Sequence, residues 1–534
     1  MSSSTAKIER RLNMTKQPNI LFIMADQVNP AFLPMYGHPV VKMPNLSKLA
    51  SQGAVFDTAY CANPICGPSR FSMLTGRVAS ETGVFDHGCE MPASAPTLMH
   101  YLRNRGYHTS LSGKMHFLGP DQLHGYEERL TTDIYPSDFG WGPDWRAGTP
   151  EIPWAPTGIS PRTVLEAGPC GRSMQLDYDE EVGHRAVQKI HDLARRPEPQ
   201  PFFLTVSFSQ PHSPFVASRE HWGRYEEDDI DMPEIPPLSL DEMDAHSRRL
   251  HHMFHIDEYT IADADIRNAR RAYYGMLSYI DDKIGELMTA LEESELAEET
   301  LVVFTSDHGE MLGERGLWYK QSLLEGSVRV PLIMRLPGKS QWKGRHITET
   351  VSLLDLLPTF VEMGSVDGPV DYVEPIAGRN LLPLLSSEES SSERTVFAEY
   401  SAEGTYAPCL MVRKGKYKYI YCETDPALLF DLEADPNELD NLAGKEAYAD
   451  VLSGLHDELL RVWNPDQYRK DALASQKRQW FIHRALSETT PNPWVFQPFA
   501  NAKDQFVRSG ANTTYVKGQA RFPYVEPAQP DKPR

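Results

Sequence analysis

Short apolar runs that end abruptly in polar residues are the feature that most constrains the fold of this chain. Stretches with helical spacing precede two of these runs, at residues 95–106 and 271–293. Buried strands that alternate with helices predict an α/β domain, built on a large mixed, mostly parallel sheet flanked by helices. The runs with the length and composition of buried strands are residues 20–24, 107–111, 202–208 and 301–305.

Polar side chains follow each of the predicted strands. Ligands of such sheets bind beyond the carboxyl ends of the strands, so these side chains are expected along one edge of the sheet. Carboxylates, imidazoles and an amine would meet there, a set of complementary charges that suits a catalytic site. The residues concerned are Asp26, Lys114, His116, His212, Asp307 and His308.

The stretch "NPICGPSRFSMLTGR", residues 63–77, predicts a helix that begins at or just after Cys66. Pro68 suits the first turn of a helix and Gly76 suits its end. The unpaired backbone N–H groups of a helix N-terminus favour an anion, and Arg70 lies one turn away from Cys66. The pattern leaves three interpretations of Cys66 open: a buried inert thiol, an activated thiolate, or a position at which an oxyanion is held.

Composition and charge exclude several classes of partner. The formal net charge is -21, from 53 basic and 74 acidic residues, which argues against nucleic acid or an anionic membrane. The sequence has neither a signal-peptide core nor an apolar run long enough to span a membrane, so we predict a cytoplasmic protein. Six cysteines are too few for a disulfide scaffold in a chain of 534 residues.

The chain changes character after the serine-rich segment that ends near residue 392. Short apolar runs beyond it predict a small α+β unit with an antiparallel sheet. From Asp471 onward we expect irregular chain, whose aromatic residues would pack on a partner surface, among them Trp480, Phe481, Trp494, Phe496 and Phe499. The predicted units are a disordered arm (1–17), the large domain (18–392), the small domain (393–470) and an extension (471–534).

The stretch Cys66-Gly67-Pro68-Ser69-Arg70, followed by "LTGR", resembles the signature of the formylglycine-dependent (type I) sulfatases, in the alkaline phosphatase superfamily. Residues 106–119, 305–320 and 428–443 resemble further motifs of that family. Residues 119–145, with "WFIHRAL", "WVFQPF" and "ARFPYV" in the tail, are similar to the choline sulfatases. The resemblance implies an alkaline phosphatase/sulfatase-like fold, hydrolysis of a small sulfate ester, and a homo-oligomer, a dimer or tetramer, assembled through the tail.

The resemblance also implies roles for individual residues. A separate formylglycine-generating enzyme would oxidise Cys66 to an aldehyde. Calcium, or alternatively manganese, would be held by Asp26, Asp307, His308 and the modified Cys66. The role of Gln27, where many sulfatases have aspartate, is left open. The expected catalytic set is Cys66, Arg70 holding the formylglycine, Lys114 and Lys320 binding sulfate, His116 contacting the hydrated aldehyde, and His212 as general acid.

The resemblance leaves the alcohol of the ester open between choline and another small alkyl or aryl group. Trp141 would form a pocket wall for a trimethylammonium group by a cation-π contact. The tail carries Asn512, Thr513 and Thr514 where choline sulfatases have acids, so Glu399 and Glu403 are the alternative source of negative charge. Two other functions stay open: a phosphonate monoester or phosphodiester hydrolase with the same site, and an inactive binding protein.

Overall fold

The computed structural model describes residues 17–134, 138–154, 159–196, 198, 200–364, 370–386, 394–488 and 496. The predictions for the arm at 1–16 and for residues 494, 499 and 512–514 lie outside the described residues. The strands are β1 Asn19–Ala25, β2 Ala54–Tyr60, β3 His108–Gly113, β4 Glu128–Arg129, β5 Gly168–Cys170, β6 Phe202–Phe208, β7 Val216–Ser218, β8 Thr300–Thr305, β9 Arg329–Arg335, β10 Arg345–Ile347, β11 Val351–Ser352, β12 Thr395–Tyr400, β13 Cys409–Lys414, β14 Tyr417–Cys422 and β15 Leu428–Asp431.

The α-helices vary in length from single turns to the long helix that ends at Glu293. They are α1 Pro44–Gln52, α2 Cys66–Thr75, α3 Ala79–Thr82, α4 Leu98–Arg103, α5 Arg162–Leu165, α6 Met174–Ala194, α7 Arg219–Trp222, α8 Ala245–Met253, α9 Asp263–Glu293, α10 Glu325–Val328, α11 Leu356–Met363, α12 Leu382–Ser386, α13 Ala449–Val462 and α14 Pro465–Ser487.

A mixed, mostly parallel sheet forms the centre of the large domain, as predicted. Among the described residues its order is β10-β2-β9-β8-β1-β6-β3-β4, with β11 paired to β2. The central strand β1 is buried along its whole length and runs parallel to both β6 and β8. Because neighbouring parallel strands point the same way, the carboxyl ends of β1, β3, β6 and β8 meet at one edge of the sheet.

Two hydrophobic clusters cover the faces of this sheet. One combines Phe22 and Phe203 with apolar residues of α2 and α11. The other combines Leu21 and Val302 with residues of α6 and α9. Helices therefore flank the sheet on both sides, and α2, whose ten residues are all buried, lies inside the first cluster.

The small domain contains the predicted antiparallel sheet, in the order β12-β13-β14-β15 within the described residues. A buried ionic cluster joins it to the large domain. Nζ of Lys418 in β14 donates to Glu325, at the start of α10, at 3.0 Å and forms an ion pair with Glu438 at 2.8 Å. Lys418 has no exposed side-chain surface and Glu438 only 3%, so the charges compensate one another away from water.

The expectation of irregular chain after Asp471 is wrong as far as Ser487, because α14 continues through this region. Asn464 caps the helix by accepting from the backbone N–H of Gln467, and Pro465 occupies the first turn. The buried positions of α14 beyond Asp471 include Ser475, Gln476 and Gln479, so its buried face carries too few apolar residues to show a helical period in the sequence. Among the described helices, none combines the length and apolarity needed to cross a membrane.

Candidate active site

Cys66 is the first residue of α2, as predicted. Ile65 before it is extended, and Gly76 ends the helix with a φ of 66°, in the left-handed region. Only 1% of Cys66 is exposed, so its sulfur sits in the interior beyond the strand ends. The helix N-terminus directs backbone N–H groups and positive potential toward this position.

The structure brings together the four predicted metal ligands. Suitable atoms of Asp26, Cys66, Asp307 and His308 all lie within 4.8 Å of one another. Nδ1 of His308 donates to the carbonyl of Gly309 at 3.0 Å, which directs Nε2 toward the Cys66 sulfur at 3.1 Å. Two carboxylates, an imidazole nitrogen and the side chain at position 66 form a donor set that suits a divalent cation.

Two buried cations surround this cluster. Nε of Arg70 donates to Asp307 at 2.8 Å, and Nη1 donates to the carbonyl of Lys114 at 2.5 Å. Nζ of Lys114 lies 2.5 Å from Asp26 and 3.9 Å from the Cys66 sulfur. Burial opposes ionisation of Asp26, but the positive charges of Lys114 and Arg70 hold the pKa of Asp26 well below its usual range.

A chain of hydrogen bonds links His212, Lys320 and Gln27. Nδ1 of His212 donates to the carbonyl of Ser213 at 2.6 Å, so Nε2 can accept from the Lys320 amine at 2.7 Å. The same amine donates to the Gln27 side-chain oxygen at 2.5 Å, and the Gln27 amide donates to Glu310. Burial and the Lys320 charge lower the pKa of His212, which favours the neutral imidazole.

The sequence left the role of Gln27 open and did not single out Glu310. Glu310 accepts backbone hydrogen bonds from Leu312 at 2.8 Å and Tyr319 at 2.6 Å, which fixes its carboxylate next to Gln27. Gln27 therefore holds Lys320 in place rather than standing apart from the site. The glutamate in "SDHGEM", three residues after Asp307, was the available signal.

An aromatic cluster lies beside Cys66. The rings of His116 and His87 stack with centroids 4.5 Å apart, and Trp141 meets the His116 ring edge-on at 5.8 Å. The backbone N–H of His116 donates to Asp133 at 2.8 Å. Burial and the neighbouring His87 lower the pKa of His116 to about 4. Trp141 ends a short 3-10 turn, Phe139–Trp141.

Sequence reasoning missed His87. A Cβ atom on Gly67 would come within 3.2 Å of its ring, so His87 is packed against the residue that follows Cys66. Its Nε2 is buried and has no hydrogen-bond partner among the described residues. A histidine in the short segment after α3 carries little signal in one sequence, because only the fold brings it to the site.

Two buried acids adjoin the aromatic cluster. One oxygen of Asp86 accepts from the backbone N–H of Gly88 at 2.8 Å, and the other has no partner among the described residues. Burial raises the pKa of Asp86 to about 6. Glu403, predicted as a negative charge, is 7% exposed and accepts from Tyr400 at 3.3 Å. Glu399 is instead bonded to Ser80 at 2.7 Å and to Trp463 at 2.5 Å.

Several site residues adopt positive φ angles that side chains other than glycine rarely adopt. They are Gln27 at 72°, His116 at 62°, Tyr319 at 66° and Gln321 at 71°. Such strain persists where surrounding structure enforces it, and it concentrates at functional sites. The concentration of such backbone strain around Cys66 supports the view that the fold orients these side chains for a catalytic role.

Known proteins match the chain over almost its whole length. A family model described as Sulfatase matches residues 18–366, one described as N-sulphoglucosamine sulphohydrolase, C-terminal, matches 313–464, and one described as Choline sulfatase enzyme C terminal matches 470–522. A choline-sulfatase of Rhizobium meliloti (strain 1021) is 41% identical over 96% of this chain and 100% of its own length. An arylsulfatase of Clostridium perfringens is 29% identical, over 83% of this chain and 94% of its own.

The fold is also shared with solved structures. The crystal structure of phosphonate monoester hydrolase of Agrobacterium radiobacter superimposes with a TM-score of 0.66 at 24% identity. The superposition covers 85% of this chain and 96% of the other. At that identity the likeness establishes the architecture alone.

Proposed function

Because this chain belongs to the sulfatase family of sulfuric ester hydrolases, we propose that it hydrolyses choline-O-sulfate or another small alkyl or aryl sulfate to the alcohol and inorganic sulfate. The observation that carries the proposal is the position of Cys66. Its sulfur lies at the N-terminus of a buried helix, 3.1 Å from His308 and beside two carboxylates and two buried cations.

The nucleophile of the proposed reaction is made from Cys66 by a separate formylglycine-generating enzyme. The hydrated aldehyde supplies two hydroxyl groups, one to attack sulfur and one to expel the sulfate afterwards. Lys114 and Arg70 support this step, since they place positive charge next to the position from which the nucleophile acts.

A divalent cation, calcium or manganese, would be held by Asp26, Asp307, His308 and the side chain at position 66. When bound, it would neutralise negative charge on the nucleophile and on the sulfate oxygens. The fixed tautomer of His308 supports this assignment, because Nδ1 is occupied by the Gly309 carbonyl and Nε2 is free to ligate.

His212 and Lys320 are the proposed source of the leaving-group proton. The lysine amine and the imidazole Nε2 share a hydrogen bond of 2.7 Å, so a proton held between them can pass to the departing alkoxide. Gln27 holds the Lys320 amine in position, and the Ser213 carbonyl holds the His212 ring. Lys114 and Lys320 would bind sulfate oxygens, and His116 would contact the hydrated aldehyde.

The leaving group would occupy the space next to Trp141. Its aromatic face, together with the buried acids Asp86 and Glu403, suits a positively charged alcohol such as choline. The name of the Rhizobium meliloti relative supports the same choice. Assembly through the tail and a cytoplasmic location remain predictions; the 70% exposed Phe481 of α14 supports a further contact surface on that helix.

Two measurements test the proposal. Peptide mass analysis should find an aldehyde at position 66 in active protein, and Cys66→Ala should abolish both the aldehyde and hydrolysis. Cys170→Ala is the matched control, since Cys170 lies in β5 and is expected to leave both unchanged. Fully active protein with only unmodified Cys66 would overturn the proposal.

Rates on choline-O-sulfate, a neutral alkyl sulfate and an aryl phosphonate monoester should be compared on the same preparation. We expect the highest kcat/KM for choline-O-sulfate. A clear preference for the phosphonate would make the protein a phosphonate hydrolase. Undetectable turnover of every ester by aldehyde-bearing, cation-loaded protein would make it a binding protein.

A further inference from the structure

Helix α14 of the C-terminal extension packs on two loops that bring side chains to His116. One is the Trp141 loop, residues 138–145, and the other is the His87 loop, residues 85–89. The stacked His87 ring and the edge-on Trp141 ring lie 4.5 Å and 5.8 Å from the His116 ring. The reacting groups themselves come from α2 and from the ends of β1 and β8.

Three side chains of α14 contact the Trp141 loop. Nε1 of Trp480 donates to the carbonyl of Pro143 at 3.2 Å, and the side-chain oxygen of Gln476 accepts from the backbone N–H of Trp145 at 3.1 Å. His483 lies 2.6 Å from Asp138, the residue that caps the turn containing Trp141. The helix thus holds the loop near both ends.

Gln479 lies between the two loops. Its amide nitrogen donates to the Cys89 sulfur at 2.9 Å and to Ser475 at 3.1 Å. A Cβ atom on Gly142 would come within 2.2 Å of the Gln479 side-chain oxygen, and one on Gly88 within 2.8 Å. A Cβ atom on Gly88 would also come within 2.7 Å of two backbone atoms of the Trp141 loop, the Phe139 carbonyl oxygen and the Gly142 nitrogen. The two loops and the Gln479 amide therefore meet at one point, where a side chain at position 88 would separate them.

We propose that α14 sets the substrate specificity of the site by holding Trp141, the wall of the leaving-group pocket, in position. Gln479 and Trp480 are the positioning residues. The inference rests on the proposed function, because it takes Trp141 to contact the leaving group. A match between residues 470–522 and the choline sulfatase C-terminal model supports it, since that match covers most of α14. On this proposal, the C-terminal extension occurs together with the choline sulfatase type of pocket because it holds the wall of that pocket in position.

Loss of these contacts should affect binding of the ester rather than the chemical step. A three-residue 3-10 turn has little stability of its own, so the orientation of Trp141 depends on what packs against the loop. A cation-π contact weakens when the ring turns away from the cation. Loosening the loop should therefore raise KM for a cationic ester and leave kcat nearly unchanged.

The test compares Gln479→Leu and Trp480→Phe with the control Arg478→Gln, whose side chain is exposed on the same helix. For choline-O-sulfate we expect KM to rise about fivefold in the first two variants, with kcat within about twofold. The control should match the wild type. Each variant is also made in a Trp141→Ala background, where a further rise in KM should be small, because the wall is already gone.

The outcomes separate the inference from the proposed function. Trp141→Ala that raises KM, together with Gln479→Leu and Trp480→Phe that do not, would overturn the inference alone. An equal fall of kcat in the wild-type and Trp141→Ala backgrounds would show that α14 has only a structural role, and this result would also overturn the inference. Trp141→Ala with an unchanged KM would remove the proposed role of Trp141 and the inference with it. If Gln479→Leu does not fold, Trp480→Phe decides the matter.

Discussion

Replacing Lys418 by methionine should destabilise the protein by removing the cation between the carboxylates of Glu325 and Glu438, of which Glu438 is buried and Glu325 is 17% exposed. Lys418 forms ion pairs with Glu325 at 3.0 Å and with Glu438 at 2.8 Å, and its side chain is fully buried. Removal of one partner from a buried ion pair costs about 3–5 kcal/mol. Two contacts reduce that figure: Arg413 remains 3.6 Å from Glu325, and Glu438 still accepts from the Glu325 backbone N–H at 2.8 Å.

We therefore expect a loss of about 3 kcal/mol in the free energy of unfolding. The thermal midpoint would fall by roughly 5–10 °C in a calorimetric or fluorescence scan. Lys416→Met is the matched control, because Lys416 forms an ion pair with Asp431 at 2.6 Å while 40% exposed, and its loss should leave the midpoint near that of the wild type. Equal midpoints for the two variants would refute the reasoning.

The loss of stability caused by Lys418→Met should also depend on pH. Burial raises the pKa of Glu438 above its usual value, and Lys418 is the group that counters this rise. Without Lys418 the folded protein binds a proton at Glu438 more readily than the unfolded chain does, so stability falls as pH rises. Lys418→Met should thus be more destabilising at about pH 8 than at about pH 5. A deficit that grows on acidification would contradict this account.

Three further predictions concern the site. Asp307→Asn should lower the divalent-cation content of dialysed protein, measured by elemental analysis; unchanged content would remove Asp307 from the ligand set. His212→Ala should slow hydrolysis of choline-O-sulfate about a hundredfold but that of 4-nitrophenyl sulfate far less, since nitrophenolate leaves without a proton; equal losses would argue against a general acid. Gly142→Ala should raise KM through clashes with Gln479 and Asp86, whereas Gly168→Ala, which meets nothing within 4 Å, should not.

The strand ends and the helix at Cys66 could be predicted because their signals are local. The apolar runs correspond to β1, β3, β6 and β8, and the parallel pairing of these strands places their terminal residues together. Pro68 and Gly76 marked the bounds of α2 for the same reason: helix ends follow from neighbouring residues.

The parts of the fold and site that the sequence did not predict depend on contacts between residues far apart in the chain. Nothing near Gln27 in the sequence indicates Lys320 or Glu310, although the three are bonded in series. His87 reaches Cys66 only because the loop after α3 folds back over α2. The buried face of α14 carries glutamines that pack on glycine backbones, and such a face has no apolar period for a sequence pattern to detect.

The central position of β1 has a consequence for folding. The strands that pair with it, β6 and β8, lie far along the chain, and the backbone N–H of Gln27 donates to Asp307 across 280 positions. Contacts of such sequence separation form late, because a long loop must close before they add stability. Regain of hydrolysis during refolding should therefore lag behind the recovery of helical signal. The length of this delay would measure how long β8 takes to dock against β1, which is the step that first brings the two halves of the site together.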